Sequence, residues 1–426
     1  MRLGGRLAAA IEVLTDIDTR RRPVADALKD WGLAHRFAGS GDRAAIGNIV
    51  YDALRMRLSH AWLMEDDSPQ ALAFAVLVRQ WGFTPEALST ELADDRFAPT
   101  LPSFEPLTTR DLDQAPPHIQ GDIPDWLQPS FEAGFGEDWL AEAKALAGRP
   151  TLDLRANTLK ASREKVVKAL DRSGAAASPI ARNGVRIAAG EGPSRLPNVT
   201  AELSFQKGWF EVQDEGSQIV ADLTMPPEGA QVLDYCAGGG GKTLAMSAAM
   251  HNKGQIHAYD TDRKRLAPII ERLKRAGTRN VQVHDNVRDL AKLQDRLDTV
   301  LVDAPCTGTG TWRRRPDTKW RLTQKNIEER LEQQQQALTE ASAYVRPGGA
   351  LVYVTCSVLP EENDAQARRF CEEHPDFTIE PAAPAWEALF GKDAPQPRSR
   401  DNATLTLTPA ATDTDGFFFC RMRRNG

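Results

Sequence analysis

The chain has 426 residues, 41% of them apolar and 26% charged, with a formal net charge of -6. That length holds two or three domains and a sizeable core, and no apolar run approaches the roughly 18 residues of a membrane span. Five cysteines, none in a C-x-x-C pair, exclude a disulfide scaffold and a structural zinc site, and the seven scattered histidines suggest no other metal site. The acidic balance argues against a simple nucleic-acid coat. Free thiols and the lack of a long apolar N-terminal core predict a cytoplasmic protein.

Residues 1–98 carry the i, i+3, i+4 apolar pattern of amphipathic helices. Leu7 to Leu14 begin one face, Ala45, Ile46, Ile49, Val50 and Ala53 make another, and Ala71 to Val78 is almost wholly apolar. Arg20, Arg21, Arg22, Arg43, Arg55 and Arg57 are spread along these segments and read most simply as solvent-exposed. Between Ala98 and Pro117, five prolines without periodicity predict a linker. A short helical pair is predicted near Pro124–Leu127 and Trp139–Leu146. Strands at 152–157, 185–187 and 209–212, with a Ser162-capped helix to Leu170, predict a small α+β unit. The resulting division is 1–117 helical module plus linker, 118–213 small α+β unit, and 214–426 a larger α/β domain.

In that last domain, apolar runs at 231–234, 255–259, 281–283, 299–302 and 350–355 alternate with helices from Lys242, over 262–276, and over about 326–344. Regular alternation implies a parallel sheet covered on both faces, an α/β Rossmann-like architecture. Pro347-Gly348-Gly349 reads as a tight turn feeding the last parallel strand, and Gly416–Met422 as an edge strand closing the sheet.

Three stretches carry the chemistry. Val300-Leu301-Val302 reads as a buried strand that stops at Asp303, where Pro305 starts a loop; Asp303 and Cys306 therefore sit at the carboxyl edge of the sheet, where open α/β folds bind ligands. A second buried strand ends at Thr355 and is followed by Cys356. Two cysteines and a carboxylate at neighbouring strand ends suggest thiolate chemistry on a bound ligand. The loop Cys236-Ala237-Gly238-Gly239-Gly240-Gly241-Lys242-Thr243 fails the Walker A pattern, because Cys236 stands where glycine is required. With Asp260, Asp285 and Asp303 after successive strands, it fits a dinucleotide-like cofactor loop instead. From Trp312 to Lys325 the chain has six basic residues against one acid, Asp317. Such a run usually marks a solvated surface, but here it directly follows the Asp303–Gly310 loop.

Taken together, Leu233-Asp234-Tyr235-Cys236-Ala237 with Gly240-Gly241-Lys242-Thr243, Asp303-Ala304-Pro305-Cys306-Thr307-Gly308-Thr309-Gly310, and Thr355-Cys356-Ser357-Val358 resemble the RNA cytosine-5 methyltransferase family. Arg155-Ala156-Asn157-Thr158-Leu159-Lys160, Val212-Gln213-Asp214-Glu215, Arg315-Pro316-Asp317-Thr318-Lys319-Trp320 and Leu359-Pro360-Glu361-Glu362-Asn363 agree, so the resemblance covers about 150–426. The N-terminal helices are similar, in type only, to the NusB-like domain of members acting on small-subunit ribosomal RNA. Gly238-Gly239 depart from the family's usual Ala-Pro.

The resemblance implies methylation of cytosine C5 in RNA, most simply small-subunit ribosomal RNA, with S-adenosylmethionine as donor. Cytosine C5 is too weak a nucleophile to take a methyl group directly, and a thiolate added at C6 overcomes this. By resemblance, Cys356 is that nucleophile, Asp303 bonds the base near N3, and Cys306 helps remove the C5 proton. Cys236, Ala237, Gly238, Gly239, Gly240, Gly241, Lys242 and Asp303 are expected to line the cofactor, with Asp260 on the ribose and Asp285 by the adenine. Cys236 is also expected to pack beneath the loop. Arg155, Arg313, Arg314, Arg315, Lys319 and Arg321 are the candidate RNA contacts, for a base flipped out of any duplex. Cys371 and Cys420 read as buried hydrophobes. A monomer is expected. The rivals are a transfer RNA substrate, a P-loop nucleotide hydrolase, and a non-catalytic RNA-binding factor.

Overall fold

Apolar residues three and four apart cannot leave water unless their helices face one another, and the first part of the chain is built on this. The computed structural model, which describes Met1–Gly426, has helices at Leu3–Arg20, Val24–Ala34, Ser40–Arg55, Arg57–Met64, Pro69–Arg79 and Pro85–Leu92. Leu7, Ala10, Val13, Leu14, Ile46, Ile49, Val50, Leu72, Phe74 and Leu77 form one core cluster. Ser68 and Thr84 accept hydrogen bonds from Ala71 N and Ala87 N, and a proline follows each cap, which sets the helix starts. The predicted linker is partly ordered: Glu105–Thr109 is a helical turn, and the Phe104 ring lies 5.9 Å from Phe74. No helix is long and apolar enough to cross a membrane.

The chain gathers into two units. One comprises Met1–Pro150, Ala189–Leu196 and Thr311–Leu322; the other comprises Thr151–Ala188, Pro197–Gly310 and Thr323–Gly426. Within the first unit, Trp312 stacks on Phe131 and Trp320 donates its indole N–H to Leu54 O. Arg55 is buried rather than exposed, bonded to Asp52 and to Arg313 O.

The second unit holds two sheets. The smaller is antiparallel, order β2-β3-β1-β4, from β1 (Leu152–Ala156), β2 (Ala175–Ala177), β3 (Gly184–Ile187) and β4 (Phe210–Val212). The larger is eight-stranded, from β5 (Gln231–Asp234), β6 (Gln255–Tyr259), β7 (Val281–His284), β8 (Leu297–Asp303), β9 (Val345–Thr355), β10 (Phe377–Glu380), β11 (Leu405–Leu407) and β12 (Phe417–Arg424). Its order is β10-β12-β9-β8-β5-β6-β7, with β11 paired to β12. The strands β9-β8-β5-β6-β7 are parallel, as their unbroken apolar runs demand. The chain winds from β5 outward through β6 and β7, then returns to β8 on the other side of β5. That reversal leaves a crevice at the carboxyl ends of β5 and β8.

Three expectations are corrected. β12 is not an edge strand: it lies antiparallel between β9 and β10, which puts β10 at the rim. Pro347-Gly348-Gly349 is not a turn before β9 but a bulge within it, where the pairing with β8 shifts between Leu297 and Thr299. The helix expected over 262–276 breaks into Arg263–Leu266 and Ile269–Ala276, because Pro268 has no N–H for the ladder.

Candidate active site

β8 and β9 are parallel neighbours with Asp303 opposite Val354, so the segments that follow leave the sheet side by side. Ala304 N bonds Val354 O at 2.9 Å and Gly310 N bonds Cys356 O at 3.0 Å. The loop between them folds Cys306 onto Cys356, and the two Sγ atoms stand 3.3 Å apart. Both side chains are half-buried.

A buried carboxylate fixes this loop. Glu362 Oε1 accepts from Thr307 N at 2.8 Å and from Gln334 Nε2 at 3.0 Å, and Oε2 accepts from the Thr307 hydroxyl. Gln334 also donates to Pro305 O, and the Tyr353 hydroxyl donates to Glu362 O. A second lacing joins Thr309 to Ser357 and Val358 N, and Asn363 to Thr355 and Ser357 O. The Cys356 sulfur bonded to it, then burial, then the charges of Cys356 and Glu362, push the Cys306 thiol well above the ordinary range. Sequence reasoning gave Glu362 no role; it appeared only inside the Leu359–Asn363 stretch.

The Gly-rich loop leaves β5 across the crevice. Ala237 N bonds Tyr259 O, and Gly238 N bonds the Asp260 carboxylate at 2.8 Å. Gly240 takes φ +80°, and a Cβ there would stand 2.4 Å from Ile269 Cγ1, so no other residue fits. The helix Gly241–Ala249 then carries Lys242 inward. Its Nζ contacts Asp303 Oδ2 at 2.6 Å and lies 5.3 Å from the Phe417 ring centroid. Burial opposes the ammonium, but Asp303 outweighs it, aided by Cys356, and the lysine pKa rises. Beneath the loop, burial lifts Asp234 to about 7, against a hydrogen bond from Thr243. Cys236 is half-buried there, its thiol pushed well up by burial and by the surrounding Asp260, Asp303 and Asp234.

The donor set suits a nucleoside with a charged tail. Asp260 spends one oxygen on Gly238 N and the other on Asp262 N at 2.8 Å, yet a carboxylate has about four lone-pair sites, so room remains for hydroxyl donors. Asp285, after β7, is exposed and 3.6 Å from Arg263. Asp260 and Asp285 thus follow β6 and β7, and Asp303 ends β8, along one sheet edge.

The candidate RNA contacts divide. Arg155 is 4% exposed and donates to Gln213 Oε1 at 2.7 Å; burial draws its pKa down to about 10. Arg313 and Lys319, 4% and 1% exposed, lie in the helical unit, where Lys319 Nζ bonds Arg55 O and burial lowers its pKa to about 8. These three present no charge to a polyanion outside. Arg314 and Arg315 reach the surface, as does Arg321, which pairs with Asp317 at 2.7 Å.

Comparison with known proteins identifies the family. A family profile described as 16S rRNA methyltransferase RsmB/F matches residues 221–423, and one described as an RsmF/B-like ferredoxin-like domain matches 123–191. A Synechocystis protein, "Probable ribosomal RNA small subunit methyltransferase B", is 34% identical over 317 residues, 72% of this chain and 67% of its own length. The chain thus spans about two thirds of such relatives. The crystal structure of PH0851 matches 100% of this chain and 99% of its own at TM-score 0.76 and 24% identity. NSun6 from Pyrococcus horikoshii, solved with SFG, matches 71% of this chain and 98% of its own at TM-score 0.61 and 23% identity. Both structures share the fold. With the relative's identity and span added to the profile matches, the chain belongs to the RsmB/F family of ribosomal RNA methyltransferases.

Proposed function

We propose that this chain transfers a methyl group from S-adenosylmethionine to C5 of a cytidine in RNA, most simply small-subunit ribosomal RNA. The observation that carries this reading is the 3.3 Å contact between Cys306 and Cys356, beside the Lys242–Asp303 pair. Two thiols in contact serve a reaction in which one sulfur adds to a ring and the other acts on what the addition creates. The Gly238–Lys242 turn, Asp260 and Asp285 would hold S-adenosylmethionine, which supplies an electrophilic methyl when bound.

Cys356, as a thiolate whose charge acts on Lys242, forms a bond to C6 while the C5–C6 π pair moves to C5; C5 would then take the methyl that the bound donor supplies, the S–CH3 bond breaking with its pair left on the sulfur. Asp303 bonds the base near N3, and Lys242, 2.6 Å from Asp303, can supply a proton for the charge that builds up there. Forming the Cys356–C6 bond also removes the sulfur charge that helps raise Cys306. Cys306 therefore ionises more readily at the stage that needs a base. It takes the C5 proton, the C5–C6 double bond re-forms, and Cys356 leaves as a thiolate.

The test is trapping on RNA containing 5-fluorocytosine, whose fluorine cannot leave as a proton. A covalent protein–RNA band that Cys356→Ala abolishes in a folded protein is the expected result. A band that survives in Cys356→Ala and vanishes in Cys306→Ala reverses the two roles, and no band on ribosomal RNA alongside a band on transfer RNA replaces the substrate. No band on any RNA, with the cofactor bound, refutes the reading.

A further inference from the structure

If RNA is the substrate, the strand flanking the target base needs a cationic surface, and Arg155 on the small sheet does not offer one. The turn leading into the neighbouring strand β4 does. β4 is preceded by Lys207-Gly208-Trp209, and the Trp209 ring, half-exposed, has Lys165 Nζ 4.1 Å and Lys207 Nζ 5.6 Å from its centroid. Four residues earlier, Phe205, whose ring packs against Phe210 at 5.6 Å, has the Arg275 guanidinium 4.1 Å from its centroid. Lys165 and Lys207 are exposed, and neither has a carboxylate within ion-pair distance.

The surface is built rather than floppy. Asn157 Nδ2 donates to both Gly208 O and Ala276 O at 2.8 Å, and Lys160 Nζ bonds Lys207 O and Arg275 O. Gly208 has φ +74°, and a Cβ on it would fall 2.0 Å from Arg275 O, so the turn closes against the helix end only with glycine. Arg275 is in turn held by Glu211, which also binds Arg272, and Arg272 Nη1 reaches Gly239 O of the cofactor loop. The aromatic ridge is therefore tied to the active-site loop through two ion pairs.

We propose that Trp209 and Phe205, flanked by Lys165, Lys207 and Arg275, form a stacking platform for single-stranded RNA flanking the target cytidine. Lys165 lies over the Trp209 face on an exposed, unpaired side chain, so a base that stacks on the ring displaces the ammonium toward its own phosphate, and single-stranded RNA is read by such faces and cations together. A hydrophobic partner protein would leave the two lysines unpaired at the interface, which disfavours it. The platform rests on the RNA reading of the active site.

The experiment measures equilibrium binding of the full chain to unsubstituted small-subunit ribosomal RNA as a function of salt, with S-adenosylmethionine binding, thermal melting and covalent trapping on the 5-fluorocytosine-substituted RNA as controls. Lys165→Gln/Lys207→Gln is expected to weaken RNA binding and to lower the slope of log K against log salt by about 0.7 per lost contact. Trp209→Ala is expected to weaken it by about tenfold, and Trp209→Phe to restore most of the loss. Cofactor binding stays at wild-type values in all three and melting in the lysine double variant; Trp209→Ala, which removes a ring packed on the core of the small sheet, melts lower, so its binding is read below its transition. Wild-type slope and affinity in the folded double variant, while wild type still traps RNA covalently, overturn the platform alone. A wild type that binds and traps no RNA overturns the catalytic reading, and the platform falls with it.

Discussion

Glu362 is fully buried, and three donors converge on it from the segment that carries Cys306 and from Gln334. Glu362→Ala removes the acceptor and leaves Thr307 N–H and the Gln334 amide buried without it. Hydrogen bonds to a charged group contribute about 1.5–3 kcal/mol each, and an unpaired buried donor costs about 1–3, so a loss of about 3–5 kcal/mol is expected in urea unfolding. Glu362→Gln is different. Its carbonyl still accepts from Thr307 N and Gln334, and its amide donates to the Thr307 hydroxyl, which rotates to accept. The fold should lose only about 1 kcal/mol, while the charge beside Cys306 disappears. In a Cys356→Ala background, where neither a hydrogen bond nor a charge from residue 356 acts on the thiol, the pH midpoint for Cys306 alkylation, followed by peptide mass spectrometry, should move down in Glu362→Gln. An unmoved midpoint in the folded Gln variant, or an Ala variant within about 1 kcal/mol of wild type, would refute the clamp.

Gly240→Ala should lose about 1–3 kcal/mol through overpacking on Ile269, and S-adenosylmethionine affinity by calorimetry should fall with it. Glu211→Gln breaks the bridge between Arg272 and Arg275, both about one-fifth exposed, and a loss of about 2–4 kcal/mol is expected by chemical denaturation. His257 Nδ1 and His284 Nε2 are 2.9 Å apart in the sheet, and burial draws His257 down to about 4 and His284 down as well. Both folded values lie below the unfolded one near 6.5, so the unfolded chain binds more protons in between. Their contribution is complete above about pH 6.5 and is lost as pH falls toward 4; the urea midpoint should drop from pH 7 to pH 5, and less so in His257→Leu.

The parallel strands could be read from the chain because burial on both faces leaves an unbroken apolar run, as in Val300–Val302 and Leu351–Val354. The ends of those runs placed Asp303, Cys306 and Cys356 at one edge. What stayed hidden depends on pairing. The alanines of β2 have no strand propensity, and they pair only because β3 is beside them. The sequence of β12 says that it is a strand, but its interior position is decided by β10, which has only four residues. Lys319 sits in a six-residue helix, too short for periodicity to show which face is buried, so its cation read as surface. The role of Glu362 follows from what touches it across more than fifty residues of chain, which no local pattern displays.

The helical unit is assembled from three separate stretches, and this bears on the order in which the protein takes shape during synthesis. A domain made from the first part of a chain ordinarily completes itself while the rest is still being translated. Here Arg149 waits for Gly190 and Gly192, Asn48 for Ser194, and the surfaces covered by Trp312 and Trp320 for a segment that emerges much later. Until residue 322 has left the ribosome, Leu54 O lacks its indole donor and the Phe131 ring faces water. The last closure of the first-made part therefore falls after Cys306 has emerged but before Cys356 has, so the helical unit can be complete while the second of the two neighbouring thiols is still inside the ribosome.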